Sequence, residues 1–193
     1  AMARDVATVL EELDLRDAIV VGHSLGGMVL GRFAVQHHDV LRERVTGVLF
    51  LATSAASLSI KGLAGGLATL SAVMARAGRA ALRRPQLAYP WKDTDASAAL
   101  VRVAFGRRAT ARMVDDVRQM LAACPSQTVA EAGVAIAEHD VRDALGTMEV
   151  ATTVVVGDED RLTPPGHARL LAELVPGTEL VELAGVGHQV MQE

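Results

Sequence analysis

Ala18-Ile19-Val20-Val21-Gly22-His23-Ser24-Leu25-Gly26-Gly27-Met28-Val29-Leu30 decides the reading of this chain. The first four residues are apolar, Ile19, Val20 and Val21 are β-branched, and no polar residue alternates among them. Such a run suits a strand buried on both faces of a parallel sheet. Past Gly27 the spacing changes: Leu30, Phe33 and Ala34 fall on one side of a 3.6-residue repeat, which predicts a helix to about Val35. Between strand and helix lies Gly22-x-Ser24-x-Gly26. A serine on so sharp a turn is held in a strained backbone conformation, and its flanking glycines let strand and helix approach each other. The turn lifts the hydroxyl above the sheet edge and aims the first N–H groups of the helix at whatever it attacks. Ser24 is therefore a candidate nucleophile.

Outward from this turn the same alternation of strand and helix continues. Upstream, Val6, Val9, Leu10 and Leu13 share one face of a helix, and Asp14 to Asp17 turns the chain into the strand. Downstream, His37-His38-Asp39 reads as a solvated helix terminus, because adjacent residues diverge there and cannot easily share a metal ion. Val45 to Ala52 is a second apolar strand. Residues 54–148 contain no convincing strand. Leu63, Leu67, Leu70 and Met74 form a helical stripe ended by Arg76, Arg79, Arg83 and Arg84, and Pro85 and Pro90 mark a loop around Tyr89 and Trp91. Thr110 is placed to cap a helix bearing Met113, Val117, Met120 and Leu121, and Thr128 with Glu131 has capping-box spacing. Strand character returns at Val150–Val156, a helix capped by Thr163 with Pro164 at its first position follows, and Thr178–Leu183 is a fourth strand. This order predicts parallel strands with helical crossovers.

Half of the 193 residues are apolar but only 3% are aromatic, so the core is built from Ala, Leu and Val. That length holds one domain with a substantial core. A net charge of −4 gives no reason to expect nucleic acid as a partner. The single cysteine, Cys124, excludes an internal disulfide and fits a reducing compartment, so a cytoplasmic location is expected. Met2 to Leu13 mixes charged and apolar residues at helical spacing, unlike a signal peptide. The uncharged run Gly62 to Ala75 is too short to span a bilayer and holds three glycines, so no integral membrane segment is expected.

Working residues of a parallel sheet gather at the carboxyl ends of its strands. Ser24 follows one such end, Asp158 and Asp160 another, and His188 a third. The order serine, acid, histidine is that of the α/β-hydrolase arrangement. Gly-His-Ser-Leu-Gly-Gly at 22–27, Val-Val-Gly-Asp-Glu-Asp-Arg-Leu-Thr-Pro at 155–164 and Gly-Val-Gly-His at 185–188 together resemble the signatures of that superfamily. The resemblance spans the chain and implies an α/β-hydrolase fold with its core in 1–53 and 149–193 and a helical lid in 54–148. It also implies that Asp160, two residues beyond Asp158, is the acid. Ser24 would attack a carbonyl, His188 would take and return its proton, Asp160 would hold the imidazole, and the N–H of Leu25 would donate to the oxyanion. His23 projects away from such a nucleophile and packs beside the site or caps a backbone group. His139 and His167 read as surface helix residues. No metal-ligand spacing and no cofactor motif appears.

The implied activity is hydrolysis of a carboxylic ester or thioester with a small, hydrophobic, aliphatic acyl group. A C–C bond hydrolase or cofactor-free perhydrolase would use the same residues, and a non-catalytic small-ligand receptor or an inactive fragment is the alternative of another class. A serine nucleophile argues against the branches that the superfamily builds on aspartate. Compared with the superfamily, strands ahead of the elbow and a helix after the histidine are missing. The expectation is a piece of a longer enzyme, with the elbow strand an unpaired apolar edge and one sheet face bare. Oligomeric state is left open.

Overall fold

The computed structural model describes residues 1–57, 80 and 95–193. The expected Leu63–Met74 stripe, its arginine-rich end and the loop around Tyr89 and Trp91 lie outside the described residues. In chain order the elements are α1 (Met2–Glu12), β1 (Ala18–His23), α2 (Leu25–Gln36), α3 (His38–Arg44), β2 (Val45–Leu51), α4 (Asp95–Arg102), α5 (Ala111–Ala123) and α6 (Ser126–Ala137). A 3₁₀ segment (Arg142–Thr147), β3 (Ala151–Gly157), α7 (Pro165–Leu174) and β4 (Glu179–Leu183) complete them. The four strands form one parallel sheet in the order β1-β2-β3-β4. Each coincides, to within two residues at its ends, with an apolar run expected to be a strand.

Register explains why the site gathers on one rim. His23 pairs with Leu51, Leu51 with Val155, and Gly157 with Leu183, so the strands all end at about the same level. Ser24, Thr53, Asp160 and His188 follow those ends. Beneath them, Phe33, Phe50, Leu145, Leu171, Val154 and Val156 are fully buried, with Ala55, Val141 and Met148 in the same cluster. A second cluster joins Val101, Ala104, Phe105, Val114 and Val117, and Leu162 of the loop after β3 packs against it.

Several local expectations need correction. The buried stripe of α1 is Ala3, Ala7 and Leu10, whereas Val9 and Leu13 are 51% and 66% exposed. Alanine lets α1 lie close against α2, and that contact outweighs the larger apolar residues in choosing the face. β1 is not buried on both faces: Ile19 and Val21 stand 71% and 56% exposed, and among the described residues β1 pairs with β2 alone. Thr110 caps α5, its hydroxyl accepting from the Met113 N–H. Thr128, by contrast, lies inside α6, which starts at Ser126 after Pro125. At α7 the cap is Pro164 and the first helical residue Pro165, which frees Thr163 for another task.

Candidate active site

Ser24 sits between β1 and α2 with φ +53° and ψ −119°, a left-handed backbone that a residue with a Cβ adopts only under strain. The surroundings hold it there. Its N–H donates to the Leu51 carbonyl at 3.0 Å, and its own carbonyl accepts from the Thr53 hydroxyl at 2.7 Å and from the Gly27 and Met28 N–H groups. Leu25 is the first residue of α2, so its N–H has no acceptor within the helix.

The two glycines that strand and helix need are not quite the expected pair. A Cβ on Gly22 would lie 2.7 Å from the backbone of Gly26 and Gly27. On Gly27 it would lie 2.5–2.6 Å from the Thr53 side chain. On Gly26 a Cβ would meet no atom beyond its own stretch of helix within 4 Å among the described residues.

Three side chains from three strand ends meet above this turn. Ser24 Oγ is 2.9 Å from His188 Nε2, and His188 Nδ1 is 2.9 Å from Asp160 Oδ2. An ionised carboxylate only accepts, so Nδ1 carries the imidazole hydrogen and Nε2 offers its lone pair to the Ser24 hydroxyl. His188 is 4% exposed and the Asp160 side chain is fully buried. Asp160 is nonetheless well satisfied: Oδ1 accepts from the N–H groups of Leu162 (2.8 Å) and Thr163 (2.9 Å), and Oδ2 accepts from the Thr163 hydroxyl (2.7 Å) as well as from His188. A buried carboxylate with four donors can stay charged without water. Asp158 is not part of this arrangement; its carboxylate accepts the Gly185 N–H at 2.7 Å.

The loop bearing His188 is held from several sides. Its N–H donates to the Ala104 carbonyl at 2.8 Å, and its carbonyl accepts from Nε2 of His23 at 2.8 Å, the two rings lying 4.9 Å apart. His23 thus packs beside the site and caps a backbone group. Burial pushes its pKa below the ordinary 6.5, so it is a neutral imidazole donor. Glu193 accepts from the N–H groups of Gly106 and Gly187, both at 2.9 Å.

His139 and His167 overturn the surface assignment: they are 5% and 1% exposed. Tertiary packing decides their burial, which a helical position alone does not reveal. His167 Nδ1 lies 2.8 Å from the Ser54 hydroxyl, and burial lowers the pKa of both rings, with Arg32 adding to the effect at His139. Sequence reasoning also missed Thr163, read as a helix cap. An Asp followed three residues later by Thr is the spacing of a local side-chain turn, and that was the available signal. Among the described residues no group of three His, Cys, Asp or Glu is arranged to hold a metal ion, and no helix is long and apolar enough to cross a membrane.

The Alpha/beta hydrolase family matches the chain over residues 1–193. The AB hydrolase superfamily protein YisY of Bacillus subtilis (strain 168) is 25% identical over 206 residues, covering 100% of this chain and 67% of that protein. The dihydrolipoyllysine-residue acetyltransferase component of the acetoin cleaving system of Pseudomonas putida is 28% identical over 198 residues, 100% of this chain and 46% of its own length. An esterase from Exiguobacterium antarcticum superposes with a TM-score of 0.79 at 18% identity, over 98% of this chain and 66% of that one. The chain therefore spans about two-thirds of YisY and of the esterase, and less than half of the acetyltransferase component. On the full-length family match and the parallel sheet with its rim of strand-end residues, the chain belongs to the α/β hydrolase family.

Proposed function

We propose that these residues carry the catalytic centre of a serine hydrolase that cleaves carboxylic esters or thioesters. The observation supporting this is the unbroken line from Ser24 Oγ through both ring nitrogens of His188 to Asp160, 2.9 Å at each step. Serine is too weak an acid to attack unaided. His188 Nε2 takes the Oγ proton as Oγ bonds to the acyl carbon, and the carbonyl oxygen gains the negative charge. The Leu25 N–H faces that charge, supported by its place at the start of α2. Collapse of the tetrahedral species breaks the bond to the alcohol or thiol, which leaves with the proton from His188. Water then repeats the sequence on the acyl-enzyme, with His188 as base, and releases the acid and the free serine. Asp160 keeps the proton on Nδ1 and stabilises the imidazolium.

The acyl group is small and aliphatic on this reading. Leu162, two residues past Asp160, packs on the Val101–Phe105–Val117 cluster, an apolar neighbourhood beside the acid that supports an apolar acyl group. The lid expected over 54–148 falls partly outside the described residues, and the described part that bears on this reading is the segment from Asp95 to Ala137. The partner is a small hydrophobic ester, and the location is cytoplasmic.

A fluorophosphonate probe on the full-length protein, with hydrolysis of p-nitrophenyl acetate and butyrate alongside, tests the proposal. Labelling is expected in the parent and lost in Ser24→Ala, with ester turnover down at least 1000-fold in both Ser24→Ala and His188→Gln. Labelling that survives Ser24→Ala overturns the reading.

A further inference from the structure

Of the four hydrogen bonds that Asp160 receives, two come from a single residue that the proton relay itself does not require. We propose that Thr163 is a positioning residue, fixing both the plane of the Asp160 carboxylate and the tautomer of His188; this rests on the serine-hydrolase reading above. Its N–H donates to Oδ1 at 2.9 Å and its hydroxyl to Oδ2 at 2.7 Å, so one residue grips both oxygens. With Leu162 N–H also on Oδ1, the carboxylate cannot rotate without breaking three bonds. Thr163 is 2% exposed, so water does not replace it.

The second task follows from where the hydroxyl proton goes. Thr163 Oγ1 is 3.1 Å from His188 Nδ1, and Oγ1, Oδ2 and Nδ1 form a triangle with sides of 2.7, 2.9 and 3.1 Å. Because Oδ2 only accepts, the hydroxyl proton is committed to it, and Oγ1 presents lone pairs to the ring. Nδ1 then faces two acceptors. The tautomer with hydrogen on Nδ1 is satisfied by either; the tautomer with hydrogen on Nε2 would set a bare nitrogen against two oxygens. Thr163 therefore keeps Nε2 free for the Ser24 proton. His167, the other buried histidine near Asp160, bonds to Ser54 and does not enter the triangle.

The nearly isosteric Thr163→Val removes the hydroxyl and leaves the N–H bond in place. Expected is a 10- to 100-fold fall in kcat with KM within about twofold, the loss typical of a hydrogen bond to a charged group. Thr163→Ser, which restores the hydroxyl, should stay within about threefold of the parent. In parallel, the low-field proton resonance of His188 Nδ1–H is read in the resting protein without turnover. It should be sharp in the parent and in Thr163→Ser, and moved or broadened in Thr163→Val; Thr163→Ala takes the place of the valine variant if that does not fold. Equal damage by serine and valine, or an unmoved resonance after loss of the hydroxyl, overturns the proposal. A parent that neither turns over esters nor labels at Ser24 refutes the hydrolase reading instead, while the resonance still reports on the Thr163 contact.

Discussion

Replacing Gly22 and Gly26 by alanine, one at a time, separates the steric demands of the elbow from its motif. In Gly22→Ala the new methyl would sit 2.7 Å from the Gly26 carbonyl oxygen and from N and Cα of Gly27, all backbone atoms in the first turn of α2. Ordinary contact begins near 3.4 Å, so the turn must retreat by about 0.7 Å. That turn carries Ser24 and the Leu25 N–H. A shift of this size along the Ser24–His188 line stretches a 2.9 Å hydrogen bond to about 3.6 Å, beyond useful range. Misplacement by about 1 Å can cost roughly 100-fold in rate, so Gly22→Ala should slow fluorophosphonate labelling by about 30- to 100-fold. Overpacking should also cost about 1–3 kcal/mol of stability.

Among the described residues Gly26→Ala meets no atom beyond its own stretch of helix within 4 Å, and it has no positive φ to strain. Alanine is the better helix former by up to about 1 kcal/mol, so the melting temperature should rise by about 2–4 °C while labelling stays within twofold. The assay is labelling rate against probe concentration, with thermal unfolding of the same samples. If both alanines slow labelling alike, the contacts at Gly26 have been misread; if Gly22→Ala labels at the parental rate, the close approach does not hold the serine.

The acid can be identified by paired substitutions: Asp160→Asn should reduce kcat by about 10,000-fold through the wrong imidazole tautomer, whereas Asp158→Asn, whose carboxylate accepts the Gly185 N–H, should stay within about fivefold. The reverse order in steady-state kinetics would reassign the acid. Burial holds His23, His139 and His167 below the ordinary 6.5, so between their lowered values and about pH 6.5 the unfolded chain binds more protons than the folded one. Stability should be full above about pH 6.5 and fall on acidification, with the urea midpoint dropping from pH 7 to 5. His167→Asn should flatten that slope by at most about 1.4 kcal/mol per pH unit, and an unchanged slope would contradict the buried neutral ring.

What the sequence made legible is what depends on neighbours along the chain. The Gly22–Gly27 turn, the strand runs and the serine, acid, histidine order are local patterns, and parallel register converts them into one rim. Burial depends on who packs against whom. Val9 and Leu13 are more apolar than Ala3 and Ala7, yet the close α1–α2 contact selects the alanines. His167 is polar and helical, yet Ser54, 113 residues away, takes it inside. Thr163-Pro164-Pro165 has the look of a helix start, and only the fold shows that the threonine serves the acid before it while the helix begins one residue later.

Asp158, Glu159 and Asp160, three consecutive acids after β3, are all engaged. Asp158 is exposed and takes the Gly185 N–H, tying β3 to the start of the histidine loop. Glu159 is half-buried; it accepts the Arg107 N–H at 2.7 Å and pairs with that guanidinium, tying the loop to the segment between α4 and α5. Asp160 is buried and meets His188. The three carboxylates run from solvent to interior, and the inner one has its charge least screened. Asp158 is exposed to water and salt while the Glu159 side chain is 18% exposed, and both act by tying loops together. The segment between α4 and α5 also meets His188 directly, the Ala104 carbonyl accepting the His188 N–H. Consecutive acids thus fix the histidine loop from two directions, and the innermost is the one hydrogen-bonded to the imidazole.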